Sequence, residues 1–267
     1  MSPVPQDVYE SDLASAPRGD DSGVRDLHMT DRWNTPIERP NGGYVLAAML
    51  RGLHEHMGDG VGDPLVAAIT YHGPPSVGPA ELACRALRRG RRVQSGEASL
   101  TQDGRLVASL AASFGAREGL THALGAPPEL PAATSLPDPR ELGFSGTGLF
   151  ERVDYRLPEM PSFLTGEPPG RAVIEGWQRR SDGRLADWWT LAFMCDSFVP
   201  AVLDVDPTLT SVTVQLTVHL YRQPTTPWVA TRIVTRHLAD GLHDEDCELW
   251  SEDGTLLAQS RQLAMLL

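Results

Sequence analysis

Three stretches of this chain occur twice, in the same order. "NGGYVLAAML" at 41–50 lies over "DSFVPAVL" at 196–203, with Gly42 on Asp196, Tyr44 on Phe198, Val45 on Val199 and Ala47 on Ala201, an offset of 154. "ITYH" at 69–72 lies over "LTVH" at 216–219, an offset of 147. "LTQDGRLVAS" at 100–109 lies over "WSEDGTLLAQ" at 250–259, an offset of 150. Ordered matches at nearly constant spacing are the mark of an internal duplication, and they limit the fold to two copies of one unit.

Each copy has the same plan. "GGYVLAAMLRGLHEHM" is apolar on nearly all sides, as a helix buried in a core must be. "LADWWTLAFMCDSFVPAVL" plays that part in the second copy, with a break near Cys195-Asp196 before Pro200. "SVTVQLTVHLY" alternates, which predicts a strand with Val212, Val214, Leu216, Val218 and Leu220 on one face and Thr213, Gln215, Thr217 and His219 on the other. The Asp-Gly pairs at 103–104 and 253–254 suit two-residue hairpin turns. A buried helix wrapped by an antiparallel sheet is the hotdog arrangement. The expectation is an α+β double hotdog: an N-terminal half at 1–116, a Pro- and Gly-rich linker at 117–148, and a C-terminal half at 149–267.

Composition excludes several classes of function. The chain has 267 residues and a net charge of −12, so nucleic acid is not an expected partner. Cys84, Cys195 and Cys247 are an odd set without metal-ligand spacing, which reads as reduced, buried and cytoplasmic. The polar, acidic N-terminus does not read as a signal peptide, and no apolar run is long enough for a membrane span. No metal is expected.

The ordered set "RWNTPIERPNGGYVLAAML", "MCDSFVPAVL", "VTVQLTVHLYRQP" and "EDGTLLAQSRQLAML" resembles the acyl-CoA thioesterase II family, the TesB-like double hotdogs, over about 30–267. The resemblance implies hydrolysis of acyl-CoA to free acid and coenzyme A, with no cofactor beyond the coenzyme A of the substrate. It also implies three catalytic positions around a water: Asp196 heading the second helix, Thr213 in the following strand and Gln262 near the C-terminus. Gln215 stands where some relatives carry an acid, so Thr217 is the alternative to Thr213. Subtracting the offsets puts Gly42, Val66 and Ala112 at the corresponding first-half places, all without a polar side chain. One site per chain is therefore expected.

Other candidates surround this set. Gly42-Gly43 either offers backbone N–H groups to an oxyanion or only lets helix and sheet pack closely. Trp188, Trp189, Phe193 and Phe198 are expected to line an acyl pocket between the helices. Arg91 and Arg92, within the basic run 85–92, either meet coenzyme A phosphates or form a solvated hairpin. Cys195 reads as core, His54 and His56 as a helix end, and His72 and His219 as scaffold. "GDGVGD" at 58–63 precedes no helix pattern and reads as a loop, and "GFSGTG" at 143–148 lacks the spacing of a hydrolase elbow. Two alternatives stay open: an enzyme acting on carrier-protein thioesters, and a non-catalytic acyl-CoA-binding protein. Homo-oligomerisation is left open too.

Overall fold

The structure is a computed structural model that describes residues 7–19, 23–122, 124–142, 146 and 148–267. The first half runs α1 (Val8–Asp12), β1 (Ser15–Pro17), β2 (Val24–Met29), α2 (Gly42–Met57), β3 (Asp63–Tyr71), β4 (Gly78–Arg88), β5 (Val93–Gln102) and β6 (Arg105–Gly115). The second runs α3 (Leu149–Arg152), β7 (Val153–Arg156), α4 (Ser162–Thr165), β8 (Val173–Arg180), α5 (Trp188–Met194), a 3-10 turn Ala201–Asp204, β9 (Ser211–Leu220), β10 (Val229–Val234), β11 (Leu238–Ala239), β12 (Leu242–Ser251) and β13 (Leu256–Leu266). Most of "GFSGTG" lies outside the described residues.

All strand pairs are antiparallel. The order is β1-β2-β4-β5-β6-β3-β9-β13-β12-β10-β8-β7, with β11 beside β12. The two halves are joined edge to edge where β3 pairs with β9, and the order reads as a palindrome about that junction. Helices α2 and α5 pack on one another and on the inner face of the sheet. One continuous core includes Val45 to Leu50 of α2, all fully buried, and Leu191 to Met194 of α5. The linker crosses the outer face of the second half. There Trp177 donates through Nε1 to Pro131 O at 2.8 Å, and Trp228, Trp250 and Ala133 form a separate apolar cluster.

Strand register fixes which residues correspond. Ala67 faces Ala112, which faces Gly96; Leu216 faces Gln262, which faces Glu245. The unpaired bulge residues are Leu65 and Val214, and the next bulges follow Leu100 and Leu249; both pairs differ by 149 (214 − 65 and 249 − 100). The offset of 150 therefore holds for the last strand (262 − 112), while 147 does not hold for β3 and β9. The counterpart of Thr213 is Pro64, not Val66, and His72 does not correspond to His219.

The match between Gly42 and Asp196 also needs correction. The helices correspond through their N-caps, where Asn41 Oδ1 accepts from Tyr44 N–H at 3.0 Å and Asp187 Oδ1 accepts from Thr190 N–H at 2.7 Å. On that basis residues 196–203 correspond to 50–57, an offset of 146 (187 − 41). Asp196 lies just past the end of α5 rather than at the head of a helix, and 196–203 is not α-helical. The Asp-Gly turns differ as well. Asp103-Gly104 has φ of 49° and 73°, the two-residue turn its sequence predicts, whereas at 253–254 only Gly254 is left-handed, at 81°, within a longer loop.

Candidate active site

Pro200 shapes the site. A proline cannot donate to the carbonyl four residues before it, and its ring collides with that group in a helix. That carbonyl belongs to Asp196. Helix α5 has already ended at Met194, capped by Cys195, and Pro200 keeps the chain from resuming it; Asp196 O accepts instead from Asn41 Nδ2 at 2.7 Å. The break is held from below. Gln178 Nε2 donates to Met194 O at 3.1 Å, Ser197 Oγ donates to Gln178 Oε1 at 2.6 Å, and Tyr155 OH donates to Ser197 O at 2.8 Å.

The Asp196 side chain meets the N-terminus of α2. Its Oδ2 accepts from Gly43 N–H at 2.7 Å and from Asn41 Nδ2 at 3.4 Å. Gly43 permits this approach, because a Cβ there would stand 2.6 Å from Phe193 O. The glycine pair thus joins the two helices and gives one N–H to the acid. Of the two readings of Gly42-Gly43, close packing describes Gly43, whose N–H is taken by Asp196. Tyr71, from β3, donates to Gly42 O at 2.6 Å. Burial pushes the Asp196 carboxyl up to about 7, against the stabilisation from Gly43 N–H and Asn41. The residue as a whole is half-buried.

Thr213 and Gln262 come together on the inner face. Thr213 Oγ1 donates to Gln262 Oε1 at 3.3 Å. The predicted alternation placed Thr213 on the outer face with Gln215 and Thr217. The bulge at Val214 reverses the parity, so Thr213 pairs with Ala264 and turns inward while Gln215 pairs with Leu263 and points out. Thr217 stays on the outer face, where its hydroxyl accepts from Gln215 Nε2 at 2.6 Å, and it is no part of the site. Helix α5 packs on both β9 and β13.

A fourth group is present that the sequence reading missed. Glu245, on β12, is paired with Gln262 in register and is 6 % exposed. Its Oε2 accepts from Ala201 N–H at 2.8 Å and its Oε1 accepts from Gln262 Nε2 at 3.3 Å. Burial pushes it up to about 8, and the charge of Asp196 adds to the rise. A Glu in "LHDEDCELW", among acids that face outward, carries no signal of its own; only the alternation of β12 against β13 points it inward.

Several candidates lie elsewhere. Arg91 and Arg92 sit in the β4–β5 hairpin, whose Arg89 donates to Met57 O at 3.0 Å. That is the far end of the 16-residue helix α2, about 21 Å from Gly43. The aromatic residues do not converge on one pocket. Trp188 lies under Arg117 and Trp189 against His54, both at the start of α5, and Phe193 is packed between Tyr9 and Trp33. Phe198 alone stays near Asp196, edge-on to Tyr155 at 5.1 Å. Cys84, Cys195 and Cys247 are buried and free. His54 Nε2 contacts Gly62 O and His72 Nε2 contacts Ser109 Oγ. Among the described residues no cluster of three His, Cys, Asp or Glu is placed to hold a metal, and no helix is long and apolar enough to cross a membrane. A cleft of about 330 Å³ lies on the outer face of the second half, lined by Arg232, Arg236, Glu248 and Arg261. It is on the opposite side of the sheet from Asp196, and its arginines are paired with acids.

The sequence profile of the acyl-CoA thioesterase C-terminal domain matches residues 127–266, and that of the N-terminal domain matches 29–115. The chain belongs to the acyl-CoA thioesterase family. It is a thioester hydrolase with the family's two tandem hotdog domains. An uncharacterised protein of Mycobacterium tuberculosis is 28% identical over 226 residues, 76% of each chain. A candidate thioesterase II from Thermobifida fusca superposes with a TM-score of 0.88 at 24% identity, covering 99% of both chains. A conserved protein of unknown function with a hot dog fold from Alicyclobacillus acidocaldarius superposes with a TM-score of 0.86 at 24% identity, covering 97% of both.

Proposed function

We propose that this thioesterase hydrolyses acyl-CoA, using Asp196 as general base and one site per chain. The observation that carries the reading is the seat of Asp196. One carboxylate oxygen is held by Gly43 N–H, the carboxyl is pushed up to about 7, and its charge reaches Glu245, the partner of Gln262 in the Gln262–Thr213 pair. A base near neutrality is matched to deprotonating water at neutral pH.

With Oδ2 held, Oδ1 takes a proton from water while Gln262 and Thr213 fix the water's orientation. The water oxygen bonds to the thioester carbon, and the carbonyl becomes an oxyanion. Gly42 N–H, the first of α2, has no acceptor among the described residues and is the donor that remains for it. Collapse breaks the C–S bond and releases the thiolate of coenzyme A, to which the proton on Asp196 returns through solvent.

Family membership supports the acyl-CoA substrate over a carrier-protein thioester. Thiol release across acyl-CoA chain lengths, beside the same acyl groups on a carrier protein, tests this directly. The expected result is turnover on at least one acyl-CoA, with higher kcat/KM than on its carrier-protein form. Preference for the carrier protein would overturn the substrate, and tight acyl-CoA binding without turnover would overturn catalysis.

A further inference from the structure

The two oxygens of Glu245 have partners of different kinds. Oε2 meets Ala201 N–H, which can only donate. Oε1 meets the amide of Gln262, which donates through Nε2 or accepts through Oε1. The far end of that amide meets the Thr213 hydroxyl. A charged Glu245 accepts at both oxygens. Gln262 then turns Nε2 to Glu245 and Oε1 to Thr213, whose hydrogen is used up within the protein. A protonated Glu245 must carry its hydrogen on Oε1, because Oε2 is engaged by an N–H. Gln262 then turns Oε1 to Glu245 and Nε2 to Thr213, and the Thr213 hydrogen becomes available to the site.

We infer that Glu245 is a positioning residue whose proton sets the direction of the Gln262–Thr213 hydrogen-bond chain. The inference rests on the proposed water-attack mechanism. The protonated setting is the productive one, because it places a donor where negative charge develops and leaves Asp196 as the single charge of the pair. The ionisable groups around Glu245 are Asp196 past the end of α5, Asp204 in the 3-10 turn, His243 and Cys247 on its own strand face, and Cys195. Asp244 and Asp246 flank it on the outer face, where arginines pair with both. Burial, reinforced by the charge of Asp196, raises Glu245 and favours its neutral form.

The test is the pH profile of kcat for thiol release by the full chain. The wild type is expected to rise through the titration of Asp196 and to fall again above about pH 8, where Glu245 loses its proton. Gln at position 245 reproduces the neutral acid: its oxygen accepts from Ala201 N–H and its amide donates to Gln262. Glu245→Gln should therefore lose the alkaline decline while the acidic limb stays in place. Gln262→Ala, which cuts the chain, should also lose that decline at its reduced rate. A wild type without the decline, a Glu245→Gln variant that keeps it, or one that is folded but inactive would each overturn the inference. Failure of Asp196 as the base would show instead on the acidic limb, which Glu245→Gln leaves in place.

Discussion

Residues 50–57 and 196–203 occupy corresponding places in the two halves, and the helix is whole in the first and ended in the second. Helix α5 ends at Met194, and Pro200, where the first half has His54, keeps it from resuming, whereas α2 runs on unbroken to Met57. The continuing helix sets Leu53 and Met57 against Gly96, where a Cβ would stand 3.0 Å and 2.9 Å from their side chains. Gly96 is the counterpart of Glu245 by register, Ala112 that of Gln262, and Pro64 that of Thr213. His54 and Phe114, with Trp189 from α5, fill the rest of the first-half place. One architecture thus gives packed scaffold where the helix is whole. Where it is broken, it gives a polar site.

The sharpest way to break this comparison is Asp196→Asn, which keeps shape and removes the base. Turnover is expected to fall about 10²–10⁴-fold with KM little changed. Full activity would return the site to the first half or elsewhere. The acid limb comes next. Because Asp196 must lose its proton to act, kcat/KM should drop about tenfold per pH unit below its titration near pH 7. The stability sign runs the other way. Asp196 and Glu245 have folded values above their ordinary ones, so their contribution to stability is full below about pH 4 and is lost as pH rises through about 7 and 8. A urea titration at pH 5 and pH 8.5 should show a smaller loss in Asp196→Asn than in the wild type.

Gln262→Ala and Thr213→Val should each lower turnover by roughly 10-fold, and together by less than the product, because they share one water. Independent, multiplying effects would dissolve the cluster. The smallest effect on turnover is expected at the first-half counterpart. Gly96→Ala crowds Leu53 and Met57 and should cost about 1–3 kcal/mol in urea unfolding while turnover per folded chain stays unchanged.

The duplication and the buried helices were legible in the sequence, because apolar periodicity and repeats report burial directly. Asp196, Thr213 and Gln262 were reached through family likeness, and their setting was not. A one-residue bulge at Val214 turns Thr213 inward, and a strictly alternating reading of "SVTVQLTVHLY" misses it. Pro200 marked the break, yet the apolar likeness of 41–50 to 196–203 set Asp196 over Gly42, when the two are neighbours in space rather than counterparts. Glu245 was hidden because cross-strand register, not composition, carries it to Gln262.

The claim that one half works and the other is filled is tested most directly by counting sites. Calorimetric titration of the full chain with a non-hydrolysable thioether analogue of a turned-over acyl-CoA gives the stoichiometry. The expected result is one analogue bound per chain, displaced by the free-acid and coenzyme A products together. Two equivalent molecules per chain would contradict the account, because the first-half place would then be open despite Leu53, Met57 and Phe114.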